Sequence, residues 1–118
     1  MSADCLFCKI VQGDIPAVVL YQDERVTAFR DINPQAPVHV LVVPNEHVAD
    51  LSELTLAHGE TLARVMHALN EVAKAEGIAA SGYRILANTG ADAHQEVLHL
   101  HFHLFGGRAL GPMLSTHV

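Results

Sequence analysis

The stretch His99-Leu100-His101-Phe102-His103-Leu104-Phe105-Gly106-Gly107, HLHFHLFGG, sets histidines at a spacing of two, puts apolar residues between them and stops on paired glycines. Successive side chains of a strand point to opposite faces. The stretch therefore predicts a strand with His99, His101 and His103 on one face and Leu100, Phe102 and Leu104 on the other. The apolar face packs against a core, and the imidazole face looks onto a cavity, solvent or a ligand. Three such rings along a straight strand do not converge on one metal ion. Alternate positions lie about 6.6 Å apart, whereas a zinc–nitrogen bond is only about 2.0–2.1 Å. A row of imidazoles does suit an extended anion such as a phosphate ester. Imidazolium donates charge-assisted hydrogen bonds to phosphate oxygens, and neutral imidazole attacks phosphorus as a nucleophile. A merely polar strand face is the plainer alternative, but Lys, Thr or Glu would serve such a face as well.

Outward from this stretch the chain alternates strand signals with one long helical segment. The predicted strands are Val18 to Tyr21, Val26 to Arg30, Val38 to Pro44, Tyr83 to Asn88 and Glu96 to Phe105. Asp23-Glu24 marks a turn between the first two, giving a hairpin. Asn33-Pro34-Gln35-Ala36-Pro37 is a loop, because each proline fixes φ and disfavours helix before it. From Thr55 to Glu76 the pattern is helical: Leu62, Val65, Met66, Leu69, Val72 and Ala73 recur at steps of three and four and are expected in the core. Gly77 is a natural stop. His58 and His67 on this helix are expected at the surface or rim. Cys5 to Val11 predicts a short helix with Leu6, Ile10 and Val11 on one side, ended by Gly13. The tail from Arg108 is expected to be extended and partly exposed. The sum is an α+β domain over 1–118, a mostly antiparallel sheet with one long helix and one short N-terminal helix.

Composition limits the functional classes. The 118 residues carry a formal charge of −6 with histidines neutral, which argues against a general nucleic-acid surface. No apolar run approaches the roughly 20 residues that span a bilayer, and the N-terminus lacks the basic and apolar regions of a secretory signal. A cytoplasmic protein without a membrane partner is the expectation. The only cysteines are Cys5 and Cys8, in Cys-Leu-Phe-Cys. In that compartment half of a metal site suits them better than a disulfide. A redox motif would follow a strand in a βαβ unit.

Taken together, these segments resemble the histidine triad (HIT) superfamily. The run His99 to Phe105 resembles its His-φ-His-φ-His-φ-φ signature. Cys5-Leu-Phe-Cys-Lys-Ile resembles the opening of many members. Phe29-Arg-Asp-Ile-Asn-Pro-Gln-Ala-Pro-Val-His39 resembles the nucleotide-side segment of the Hint branch, the purine nucleoside phosphoramidases. Gln95-Glu-Val-Leu-His99 and Gly106-Gly-Arg-Ala-Leu-Gly-Pro-Met113 resemble the bacterial Hint proteins. The resemblance implies the HIT fold, paired as a homodimer whose sheets join. It implies cleavage of the P–N bond of a nucleoside 5′-phosphoramidate, releasing a purine nucleoside monophosphate and an amine. His101 would be the nucleophile, forming a nucleotidyl-histidine. His103 would contact the α-phosphate, His39 would complete the polar cluster, and the His99 carbonyl would orient the His101 ring. Asp31 would bind ribose hydroxyls, Phe29 and Ile32 would line the base pocket, and Asn88, Gln95 and Glu96 would lie on the phosphate side. Structural zinc would be held by Cys5, Cys8, His47 and His99, and would not be required for catalysis.

Departures from the common pattern fall in the loop before the triad. Ala93-His94-Gln95-Glu96 stands where many relatives carry Gly-Gly-Gln-Ser, and Leu98 where a tyrosine is common. His94 in place of glycine restricts the backbone. Two competing readings remain at this stage. One is a dinucleoside polyphosphate hydrolase or nucleotidyl transferase of the same superfamily. The other is a zinc-stabilised nucleotide-binding scaffold dimer.

Overall fold

The computed structural model describes residues 4–114. Its sheet has five strands: β1 (Val19–Gln22), β2 (Val26–Arg30), β3 (Val38–Pro44), β4 (Tyr83–Ala87) and β5 (Phe102–Gly106). Their spatial order is β1-β2-β3-β5-β4, and every neighbouring pair is antiparallel. The hairpin between β1 and β2 turns at Asp23, whose carboxylate accepts from the N–H groups of Arg25 and Val26 at 2.8 and 2.9 Å. β3 and β4 are joined through the long helix, and β5 inserts between them.

The long helix α2 (Gly59–Ala75) covers one face of the sheet. Its three-four periodicity buries Val65, Leu69 and Val72 against Val26, Ala28, Val40, Val42, Phe102 and Leu104. Leu100 joins the same cluster. The helix is shorter than the periodicity predicts. Leu56–His58 forms a separate 3-10 turn, where Thr55 and His58 cap each other. His58 is half-buried in that cap, and His67 is exposed, so both are surface or rim residues as expected. Met66 departs from expectation: it is 44% exposed rather than in the core. Helical periodicity marks an apolar stripe and does not say how much of it the sheet covers.

The short helix α1 (Leu6–Gln12) lies on the opposite face. Its buried residues are Phe7 and Cys8, packed with Phe29, Leu41 and Val43. Leu6 is exposed, whereas Ile10 and Val11, expected on its side of the helix, are partly buried against this cluster. Gly13 ends the helix in the left-handed conformation, at φ 84°. The paired glycines after β5 have distinct reasons. A Cβ at Gly106 would stand 2.7 Å from Ile78 Cδ1, and Gly107 adopts φ +93° beside Pro37. Of the expected tail, Ser115 to Val118 lie outside the described residues. No helix among the described residues is long and apolar enough to cross a membrane.

Candidate active site

The histidine row does not form one continuous strand. β5 begins at Phe102, not at Glu96, and His99 lies in a bend. The cause is local. Leu100 N–H donates to the Val48 carbonyl at 2.6 Å, and the Gln95 side-chain amide donates to the carbonyls of Ala49 and Val97 at 2.8 and 3.0 Å. These bonds hold residues 95–101 against the 47–49 segment. His99 therefore does not share a strand face with His101 and His103. Its ring is wholly buried, beside Cys5, Cys8 and His47.

Those four residues form a compact donor set. Their ligand atoms all lie within 4.8 Å of one another. His99 Nδ1 is 3.2 Å from Cys5 Sγ and 3.5 Å from Cys8 Sγ, and His47 Nδ1 is 3.4 Å from Cys8 Sγ. Tetrahedral zinc with bonds of about 2.0–2.3 Å would separate its ligand atoms by about 3.3–3.8 Å. The tautomer also fits. The Pro44 carbonyl accepts a hydrogen bond from His99 Nε2 at 2.8 Å, which leaves the Nδ1 lone pair facing the thiols. Burial holds the His99 pKa below its ordinary value, so the ring is in the neutral form that ligates a metal. The cluster can hold a metal ion, and Cys5 and Cys8 form no disulfide.

His101 and His103 belong to a different environment. The His99 carbonyl accepts from His101 Nδ1–H at 2.7 Å. That bond leaves His101 Nε2 with its lone pair and no protein partner among the described residues. Phe7 packs edge-on to the same ring, with centroids 5.1 Å apart. A second chain of hydrogen bonds fixes the other rings. Gln35 N–H donates to His39 Nδ1 at 3.0 Å, so the His39 proton sits on Nε2. His39 Nε2–H donates to His103 Nδ1 at 2.9 Å, and His103 is left with Nε2–H as a free donor. Asp31 lies 3.5 Å from His39 Nε2. Burial lowers the pKa of His39, and Asp31 opposes the shift. Burial also lowers that of His103, to about 4, assisted by His101 and His39 and opposed by Asp31 and Glu96. His103 is neutral at pH 7 and offers a neutral N–H.

Two cavities meet at Asp31, Asn33, Glu96, His101 and His103. One, of about 390 Å³, is polar and also takes in Gln35, His39, Asn88 and His94. The other, of about 270 Å³, is mainly apolar and includes Phe7, Ile10, Phe29, Ile32, Leu41 and Val97. The structure thus brings together Phe29, Asp31, Ile32, His39, Asn88, Glu96, His101 and His103. Ile32 is 90% exposed, so its side chain is an apolar lip and not core packing. Gln95 is a correction. Its amide donates to Ala49 and Val97, and its oxygen accepts from Gly90 N–H at 3.1 Å, which makes it a brace for the loop and not a cavity group.

The HIT domain model matches residues 12–110 of this sequence. The chain belongs to the HIT family. It is 45% identical over 115 residues to the purine nucleoside phosphoramidase of Escherichia coli, covering 98% of this chain and 97% of that protein. It is 43% identical over 107 residues to a 14 kDa zinc-binding protein of Zea mays, covering 89% of this chain and 83% of that one. Among solved structures, a HIT family hydrolase from Clostridium thermocellum superimposes with a TM-score of 0.94 at 45% identity, covering 98% of this chain and all of that one. The five-stranded antiparallel sheet with one long and one short helix is the HIT fold.

Several groups of this HIT site escape a reading of side-chain motifs. The Gln35 N–H and the Pro44 carbonyl are backbone groups that set tautomers. Phe7 supports the His101 ring from between the two cysteines; its place in Cys-Leu-Phe-Cys was the one available signal.

Proposed function

We propose that this chain hydrolyses the P–N bond of purine nucleoside 5′-phosphoramidates. The observation that carries the reading is the His101 ring, pinned at Nδ1 by the His99 carbonyl with Nε2 left open toward the cavities. The full-length similarity to a purine nucleoside phosphoramidase supports the same reaction. The base takes the apolar cavity between Phe29 and Ile32, and Asp31 accepts from ribose hydroxyls. His101 Nε2 attacks phosphorus, the P–N bond breaks, and the amine departs with a proton taken from water at the open mouth. His103 Nε2–H donates to a phosphoryl oxygen, with His39 holding its tautomer. Asn88 supports the phosphate from the side of β4. Water then cleaves the nucleotidyl-histidine, which releases the monophosphate and restores His101.

Zinc is the metal proposed for Cys5, Cys8, His47 and His99. Two buried thiols and two imidazoles form a closed structural set with no position left for substrate. Zinc there supplies structural crosslinking and takes no part in the reaction. The chain is proposed to act in the cytoplasm, where the two thiols stay reduced, and as a homodimer. β4 is a sheet edge with unpaired backbone groups, and edges of this kind are normally covered. Tyr83 and Ile85 on β4 are exposed, as is Met66 on α2; the Tyr83 hydroxyl bonds Asn70, one helical turn from Met66. A second copy docked edge to edge would cover all three and join the sheets.

The test is release of AMP from adenosine 5′-phosphoramidate by the wild type and by His101→Ala. Turnover by the wild type and its loss in the variant are expected. An inactive wild type, or a variant of equal rate, would contradict the assignment and bring the scaffold reading forward.

A further inference from the structure

The two cavities differ in chemistry, and the difference bears on which amine the site releases. The apolar one suits a flat base. The polar one contains no lysine, no arginine and no aliphatic side chain, but it does contain Asp31 and Glu96. Asp31 is turned inward: one oxygen accepts from Asn33 N–H at 2.8 Å, and the other faces His39. Glu96 is different. It lines both cavities and is 74% exposed at its side chain, and its one ion-pair partner among the described residues is His94, at 2.9 Å. His94 stands at φ 61°, where a side chain is strained and glycine is not. The strained residue therefore carries the group that steers the carboxylate. Arg30, which lines the apolar cavity, is paired with Glu76, and Arg108 donates to the carbonyls of Gln35 and Ala109.

In-line displacement sets the departing group opposite the attacking nitrogen. With the base in the apolar cavity and the phosphoryl group held at His101, His103 and Asn88, the rest of the polar cavity, toward His94 and Glu96, is the space left for the departing group. We propose that this cavity is a leaving-group subsite selective for amines that carry a second, positively charged group, with Glu96 as the specificity-determining residue and His94 as its positioning residue. This rests on the phosphoramidase reading above. An ammonium a few bonds from the scissile nitrogen meets a carboxylate there. A carboxylate or polyphosphate leaving group meets the same charge with no cation to offset it. The subsite thus also disfavours dinucleoside polyphosphates.

The test uses three adenosine 5′-phosphoramidates of matched chain length, made from 1,3-diaminopropane, propylamine and β-alanine. kcat/KM is measured for the wild type, Glu96→Gln and His94→Gly. Comparing ratios across variants cancels the intrinsic reactivity of each amide. The cationic-to-neutral ratio is expected to fall about fivefold in Glu96→Gln, near the ceiling for an exposed ion pair. The anionic-to-neutral ratio should rise by a similar factor. His94→Gly should move both ratios in the same directions by less. Ratios unchanged in Glu96→Gln would overturn the subsite, and ratios unchanged in His94→Gly would overturn the role given to His94. No wild-type turnover of any of the three amides would instead sink the phosphoramidase reading itself.

Discussion

His99 and His101 are two residues apart and do opposite things. His99 is wholly buried, its ring held between the Pro44 carbonyl and two thiols, and it lines neither cavity. His101 is nearly as buried, yet it lines both cavities and keeps one nitrogen unpartnered. In the proposed function the same side chain serves as a structural ligand in one place and a nucleophile in the other. What differs is which ring nitrogen is spent. His99 gives Nε2–H to a carbonyl and aims Nδ1 at sulfur; His101 gives Nδ1–H to a carbonyl and aims Nε2 at the substrate space. The peptide carbonyl of His99 is that second acceptor, so the buried region orients the reactive one.

The sharpest way to break this comparison is a pair of substitutions. His101→Ala should lower turnover by about 10⁴-fold or more, as loss of a nucleophile from an interdependent set does. Its zinc content, read by elemental analysis, should equal that of the wild type. Cys8→Ser should do the reverse in kind. Zinc should fall to background, and loss of a structural metal should destabilise the fold by about 3 kcal/mol, or on the order of 10 °C in Tm for a domain of this size. Equal zinc content in Cys8→Ser and wild type would remove the metal site from the account. Loss of zinc in His101→Ala would show that the two regions are not separate.

A smaller effect concerns acid. The folded protein holds the His103 pKa at about 4, below the usual value of 6.5. The unfolded chain therefore binds a proton that the native His103 refuses. The sign follows: the stability is fully present above about pH 6.5 and falls as pH drops toward about 4. Urea midpoints of wild type and His103→Gln across this range isolate the contribution, because the metal site is common to both. The variant should show the shallower decline, and parallel curves would contradict the burial argument. Smallest is His94→Gly. Relief of a side chain at φ 61° should stabilise the fold by about 0.5–1 kcal/mol; a lower urea midpoint would mean that the bond to Glu96 outweighs the strain.

The sequence reads well where one physical rule acts alone. β-branched runs mark β2 and β3, and three-four spacing marks α2. The alternation from His101 onward correctly puts Phe102 and Leu104 under that helix. It fails at His99, because alternation of residue type continues through the bend while the backbone does not: Leu100 pairs with Val48 instead of extending β5. Met66 fails for another reason, since an apolar stripe on a helix does not say how much of it the sheet covers. Asp31, His39 and Asn88 at the cavity were legible through family resemblance; the backbone groups that fix the imidazole tautomers have no sequence signature.

The most direct measurement is the location of the covalent intermediate. Wild type mixed with adenosine 5′-phosphoramidate, quenched in alkali where phosphohistidine survives, should carry one adenylyl group, and fragment mass spectrometry should map it to His101. An adduct on His103 or His39, or none at a time when AMP release is under way, would contradict the division of labour between the two regions.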